Sequence, residues 1–263
     1  MRLALRHFLP PQPSLRFVPI WRRNFLVWRK LTIPSILGNL ADPLLYMLGF
    51  GYGIGALVPQ MQGMSYIAFI AAGTVCSSTM NSASFESMYS GFSRMHVQRT
   101  WDAILNAPID LDDVVLAEVS WSASKATLSG VAVLLVATAL GLTESWFALA
   151  IVPLALLLGI VFASLGLIMT ALSPSYDFFM YYFTLVITPM VLLCGVFFPV
   201  SQLPLPVQAV SAWLPLTHAI DLVRPLVVGD MPGDIPLHVA GLLIYGSIGY
   251  IVALALTRRR LLM

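Results

Sequence analysis

Residues 215–226 read PLTHAIDLVRPL, and His218, Asp221 and Arg224 fall within seven residues. A helix starting at Leu216 puts positions 218, 221, 222 and 225 on one face, with His218 beside Asp221 and Asp221 three residues from Arg224. A histidine next to a carboxylate is the pairing that acid–base chemistry uses. The sequence places no serine or cysteine nucleophile with it. Asp221 and Arg224 can neutralise each other. The stretch therefore reads either as a structural clasp or, with Pro215, His218, Asp221 and Arg224 together, as a gate that meets a substrate headgroup. Four more ionisable residues, Asp42, Glu86, Glu118 and Lys125, stand inside long apolar stretches. Charges at such depth face a bundle interior or a cavity. Glu118 and Lys125 are seven residues apart and share a helix face. The four are either paired structural charges or the lining of a polar conduit.

Several chemistries are excluded by residue type and spacing. The only lysines are Lys30 and Lys125, and neither stands in the GxxxxGK[ST] context of a phosphate-binding loop. There is no GxSxG elbow. His7, His96, His218 and His238 are scattered, so no metal site is expected. Cys76 and Cys194 form no CxxC motif and read as packing residues. No inverted repeat of the halves is visible, which argues against a secondary transporter. No catalytic residue is assigned and no nucleic-acid partner is expected.

What must position these residues is a membrane bundle. The chain has 263 residues, 59% hydrophobic and 10% charged, where a soluble domain carries about a quarter charged. Six stretches reach the roughly 20 residues needed to cross a bilayer: about 36–57, 65–85, 114–140, 146–172, 178–198 and 237–256. Seven lysines and arginines precede the first stretch, Arg94 and Arg99 lie between the second and third, and Arg258, Arg259 and Arg260 follow the sixth. The opposite connections hold Arg224 alone. This asymmetry places both termini in the cytoplasm and PLTHAIDLVRPL on the outer side. The leader shows no signal-peptide core.

Three connections carry further information. In FVPIWRRNFLVWRKLTI, residues 17–33, Phe17, Ile20, Trp21, Phe25 and Trp28 recur at helical spacing among arginines. That is the pattern of a basic amphipathic helix in the inner membrane interface, or of a helix that meets a partner. In residues 90–113, Trp101, Ile104 and Leu105 share helical spacing before Pro108, with Thr100 as the expected N-cap. This predicts a short cytoplasmic helix between spans two and three. In residues 199–236, prolines cut the outer connection into two short apolar pieces, read as re-entrant helices. The expected architecture is an all-α polytopic membrane protein. Residues 1–34 form a cytoplasmic leader and amphipathic connecting helix, and 35–263 a six-span domain.

The stretch 187–224, ITPMVLLCGVFFPVSQLPLPVQAVSAWLPLTHAIDLVR, resembles the signature of the ABC-2 type permeases. Cys194-Gly195-Val196 corresponds to its small-residue cluster, Leu203-Pro204 to its break, and Pro215-Leu216, His218 and Arg224 to its end. Residues 85–121 are similar to the NodJ subfamily of lipo-oligosaccharide exporter permeases through Arg94-Met95, Trp101, Pro108 and Glu118. The leader before Phe17 has no counterpart. The resemblance implies a permease in the bacterial inner membrane, without its own ATPase site. It would pair with a second copy of itself and two copies of a separate ATPase that binds ATP and Mg. Arg99, Trp101, Asp102, Ile104, Leu105 and Asn106 would form the coupling helix seated in that ATPase. The cargo would be an amphiphilic glycolipid, with Tyr46, Tyr52, Tyr66, Tyr89, Tyr181, Tyr182, Phe197 and Phe198 available to sugar faces, and membrane lipid would surround the spans. Alternatives are a permease for a drug or small amphiphile, an intramembrane enzyme using His218, Asp221 or Glu86, and a proton-coupled transporter using Asp42, Glu86 or Lys125.

Overall fold

The computed structural model describes residues 11, 12, 14–143 and 145–261. Residues 1–10, which hold most of the expected leader, lie outside them. Helix α1, Phe17–Trp28, runs through a 3-10 turn at Arg29–Leu31 into α2, Thr32–Gly53. The backbone of Leu31, at φ −119° and ψ 20°, marks the break between them. The helical run therefore passes through the expected domain boundary at residue 34. A two-stranded hairpin follows, β1 Gln60–Met61 and β2 Met64–Ser65. It turns through Gln62 and Gly63, both at positive φ, as a two-residue hairpin turn requires.

Helix α3, Tyr66–Phe85, begins with the Ser65 hydroxyl accepting from the Ala68 amide. It continues through two π-helical turns, Glu86–Ser90 and Ser93–Val97. Arg99, left-handed at φ 48°, then turns the chain into α4, Thr100–Leu105. Arg99 thus occupies the cap position expected for Thr100, and Thr100 opens the helix itself. The later helices are α5 Leu111–Ala139, α6 Ile151–Leu172, α7 Asp177–Tyr182, α8 Thr188–Leu193, α9 Leu205–Ser211, α10 Pro215–Val228 and α11 Ile235–Leu261. A π turn at Phe183–Ile187 joins α7 to α8. Pro215 opens α10, where its missing N–H costs nothing, and Gly229 at φ 87° closes it.

Among the described residues, four helical runs are long and apolar enough to cross a membrane: Phe17–Gly53, Leu111–Ala139, Trp146–Leu172 and Ile235–Leu261. The sequence reading expects six. The two it adds are helical but differ in kind. α3 carries Thr74, Ser77, Ser78, Thr79, Ser82 and Ser84, and covers them inside the bundle. The Thr74, Ser77 and Thr79 hydroxyls return to carbonyls three or four residues back, which satisfies them locally. The run Asp177–Leu193 is apolar but shorter.

The centre of the bundle is α3, α5 and α6, with α11 against α6 and α2 and α10 against α3. Glycines permit its closest approaches, as they do between membrane helices. A Cβ on Gly159 would lie 3.0 Å from the Ala123 Cα, and one on Gly73 would lie 2.6 Å from the Val196 carbonyl oxygen. The apolar window of the run Phe17–Gly53 is only 11% buried, against 56% for Trp146–Leu172. α2 therefore lies at the edge of the bundle with one long face uncovered.

Candidate functional site

The ionisable residues of α3 and α5 meet in one chain of charges. The π turns bring Glu86, Ser90 and Arg94 to one side of their helix, toward α5. π turns recur at functional sites because they redirect side chains. Arg94 bridges two carboxylates: its Nη1 lies 3.0 Å from Glu86 Oε1, and its Nε donates to both Glu118 oxygens at 2.9 and 3.1 Å. Lys125 Nζ lies 2.8 Å from Glu86 Oε2. The expected Glu118–Lys125 pairing does not form. The two share a face of α5, but seven residues is two full turns, about 10 Å of rise. Each instead takes a partner from the other helix. Indole and amide groups complete the shell. Trp121 Nε1 donates to Glu86 at 2.8 Å, Ser90 Oγ to Glu86 at 3.0 Å, Trp101 Nε1 to Glu118 at 3.2 Å and Asn24 Nδ2 to Glu118 at 3.4 Å. Glu118 is 1% exposed and Glu86 is 4% exposed, so burial of the two carboxylates rests on these donors.

α4 is joined to that chain through Trp101, which is buried. Its indole points inward to Glu118 rather than outward to a partner. The exposed residues there are Arg99, Asp102 and Asn106, while Ile104 and Leu105 pack against the core edge. The Trp101–Ile104–Leu105 stripe is thus the inner face of the helix. The aromatic face of α1 behaves in the same way. The rings of Trp21, Phe25 and Trp28 stand 6.1, 6.4 and 5.9 Å from Trp121 of α5, so this face meets protein.

A second anchor lies beside the first at the start of α5. Arg258 Nε donates to Asp112 Oδ1 at 3.0 Å, and the Gln12 amide donates to Asp112 Oδ2 at 2.9 Å. The Ser14 amide and hydroxyl donate to Asp113 at 2.6 and 2.7 Å. The described ends of the chain therefore meet at one end of the bundle, next to α4.

At the other end, the expected Asp221–Arg224 ion pair is absent. Arg224 is buried, stacks over the Phe69 ring at 3.7 Å and donates to the Gly195 carbonyl. Gly195 is left-handed, at φ 83°. Arg224 turns inward because the covered face of α10 meets α3, whereas Asp221 is exposed. His218 also takes a partner other than Asp221: its Nδ1 lies 3.0 Å from His238 Nδ1 on α11. Pro215 is buried at the N-terminus of α10. Asp42 stands on the exposed face of α2 and joins none of these networks.

The bundle holds two cavities, one of them beside the charge chain. One of about 470 Å³ is lined by Arg23, Trp28, Glu86, Arg94, Trp121 and Lys125, among others. The second, about 640 Å³, lies toward the hairpin and is lined by Tyr46, Phe50, Tyr66, Phe183, Phe197 and Phe198. Phe197 is its hub, with ring centroids 5.7 Å from Tyr46 and 5.4 Å from Phe50. Of the aromatics expected to meet sugars, Tyr46, Tyr66, Phe197 and Phe198 line this cavity and Tyr89 lines the first. Tyr182 is in the core, and Tyr52 and Tyr181 are exposed.

The bundle thus carries a short helix tied to buried charges and, toward the hairpin, an aromatic cavity. Residues 16–228 match the ABC-2 type transporter family. The chain belongs to that family. It is 48% identical over 252 residues to Nodulation protein J of Rhizobium leguminosarum bv. trifolii, an alignment covering 96% of each chain. It is 46% identical over 252 residues to Nodulation protein J of Rhizobium meliloti (strain 1021), again covering 96% of each. The Inner membrane transport permease YadH of Escherichia coli (strain K12) is 25% identical over 221 residues, covering 81% of this chain and 84% of its own. This permease is therefore a multi-pass membrane protein, and the match spans α1 through α10.

Sequence spacing does not reveal the partners of these residues. Arg94, which bridges both carboxylates, was read only as a basic residue in a loop and as part of the family likeness. Trp121, Asn24, His238 and the Asp112–Arg258 pair were not singled out. Only their polarity inside or beside apolar stretches marked them.

Proposed function

We propose that this permease is the membrane half of an ATP-driven exporter in the bacterial inner membrane. Two copies pair and dock two copies of a separate ATPase, which binds ATP and Mg. Six spans cross the bilayer, with both termini in the cytoplasm, and α9 and α10 re-enter the outer leaflet. The common anchoring of Gln12, Ser14 and Arg258 at the start of α5 supports an even number of crossings. The exposed residues Arg99, Asp102 and Asn106 meet the ATPase, while Ile104 and Leu105 seat the helix against the bundle.

The observation that carries this reading is the inward bond of Trp101 to Glu118. A surface helix that grips a partner must also grip the bundle, or its movement is lost. Through Glu118, Arg94, Glu86 and Lys125, a displacement of α4 reaches both α3 and α5. Those helices then shift the walls of the two cavities, and the outer turn held by Arg224 opens toward the far side. The cargo is an amphiphilic glycolipid. The aromatic cavity offers ring faces to sugars, and the likeness to the NodJ subfamily points to a lipo-oligosaccharide. Asp42, exposed on α2, faces the second copy or the path between the copies. The saturated donor shell of Glu86 disfavours a role in catalysis or proton coupling.

Co-purification with ABC ATPase subunits co-expressed from the same genome tests the reading. Asp102→Arg and Arg99→Glu change only the exposed side of α4. A complex that forms with the wild type and is lost in both variants, while each variant stays monodisperse in detergent, supports docking at α4. Failure of any ATPase to associate with the wild type would remove the exporter reading.

A further inference from the structure

The 470 Å³ cavity between α1, α3 and α5 has a charge balance that the mechanism does not use. Arg23, Arg94 and Lys125 stand against Glu86 and, behind it, Glu118. Both carboxylates are fully engaged. Glu86 Oε1 accepts from Trp121 and Arg94, and Oε2 from Lys125 and Ser90. Glu118 accepts from Arg94, Trp101 and Asn24. A neutral hydroxyl entering the cavity finds no free carboxylate oxygen there. The cations have donors to spare. Arg23 bonds only neutral groups, the Asn24 side chain at 3.0 Å and the Thr100 hydroxyl at 3.4 Å, and has no carboxylate within ion-pair distance among the described residues. The Lys125 ammonium uses one of its three donors. Three cations over two saturated carboxylates leave one net positive charge in a cleft of the size that takes small ligands.

The walls fit an amphiphile. Trp28 and Trp121 form one side, and Tyr89 and Tyr176, stacked at 6.0 Å, line the cavity too. The exposed α2 continues from the cavity along the bundle edge, so a chain attached to a bound headgroup has an apolar surface to follow. We infer that this cavity is a binding site for the anionic group, a phosphate or sulfate ester, of an amphiphile in the inner leaflet, with Arg23 as its unpaired cation. Assigning that amphiphile to the transport path rests on the exporter reading. The binding itself does not.

The test is a titration of the purified full-length chain, by thermophoresis in neutral detergent, with dihexanoyl phosphatidylglycerol, dihexanoyl phosphatidylcholine and inorganic phosphate. The anionic lipid should bind more tightly than the zwitterionic one. Arg23→Gln should lower that preference about fivefold, the worth of one basic side chain near an anionic headgroup. Arg23→Lys should keep it. Gln98→Glu, which adds a negative charge to the lining without touching the buried pairs, should lower it as Arg23→Gln does. Competition by inorganic phosphate assigns recognition to the free anion. Its absence assigns recognition to the anion on an amphiphile. Equal affinity for the two lipids, or an undiminished preference in both Arg23→Gln and Gln98→Glu, overturns the proposal. Because no ATPase is present, failure here leaves the exporter reading standing, and loss of ATPase docking leaves this binding result intact.

Discussion

The bond between Trp101 and Glu118 can be tested by a double-mutant cycle. Trp101→Phe keeps most of the buried ring and removes the indole N–H that reaches Glu118 at 3.2 Å. Glu118→Gln keeps the shape and removes the charge that holds the Arg94 guanidinium by its Nε and Nη2. Alone, Trp101→Phe should cost about 1.5–3 kcal/mol, the worth of a hydrogen bond to a charged group. Glu118→Gln should cost more, about 3–5 kcal/mol, because it leaves a buried guanidinium short of one carboxylate. Together they should cost less than the sum. Without the charge, the acceptor left for the indole is an ordinary amide, and the Trp101 bond loses roughly half its strength. The expected coupling is about 1 kcal/mol, above the average of about 0.6 kcal/mol and below the maximum of about 1.7 kcal/mol for polar pairs in membrane bundles.

The assay is reversible unfolding in mixed micelles, followed by far-ultraviolet circular dichroism, on all four chains. The same four chains, reconstituted with the ATPase, give transport per ATP hydrolysed. If Trp101 is the mechanical link, Trp101→Phe lowers that ratio while ATPase docking through Asp102 and Asn106 persists. Additive costs, within about 0.3–0.5 kcal/mol, together with an unchanged transport ratio, would refute the link between α4 and the buried charges.

Three further outcomes follow from the geometry. Gly73→Val should lower the Tm and weaken transport, because its Cβ would stand 2.6 Å from the Val196 carbonyl and overpacking costs about 1–3 kcal/mol. Gly73→Ala should be milder, and thermal unfolding compares the two. Arg224→Lys should loosen the outer turn, since a lysine cannot reproduce both the planar stack on Phe69 and the bond to the Gly195 carbonyl. Faster maleimide labelling of Cys194, which is buried beside that turn, would report it. Asp112→Asn removes the carboxylate shared by Arg258 and the Gln12 amide. Amide hydrogen exchange should rise at Gln12, Ser14, Leu15 and Arg16 and in the last turn of α11, with α3 unchanged.

The helices were legible and their partners were not, and the reason is specific to a membrane bundle. Length and apolarity placed the runs ending at Leu172 and Leu261 because burial in lipid and burial in protein ask for the same residues. For that reason periodicity shows that a helix has a face without showing what the face meets. The spacing of Trp101, Ile104 and Leu105 gives a helix with one apolar face, and only the structure shows that this face meets the bundle. The spacing of Trp21, Phe25 and Trp28 fits a helix in the membrane interface or one that meets protein, and in the structure these rings stand against Trp121. In water, an apolar stripe must turn inward. Beside a bilayer that inference loses its direction, and polar residues carry the information instead.

Those polar residues misled only where distance along one helix was taken for proximity in space. Asp221 and Arg224 are three apart, and Glu118 and Lys125 share a face, yet Arg224 and Glu118 each turn to a neighbouring helix. An ion taken out of water needs several donors or acceptors, and one helix rarely supplies them all. Glu86 draws on its own helix and on α5, while Glu118 draws on α1 and α4 as well as Arg94. Two π turns, which no periodic pattern announces, rotate Glu86 and Arg94 into line. The search rule that follows is to match the buried charges of a membrane sequence across helices by sign and depth. Arg94 would then have been sought from the outset as the partner of Glu86 and Glu118, and Arg23 would have stood out as the cation left over.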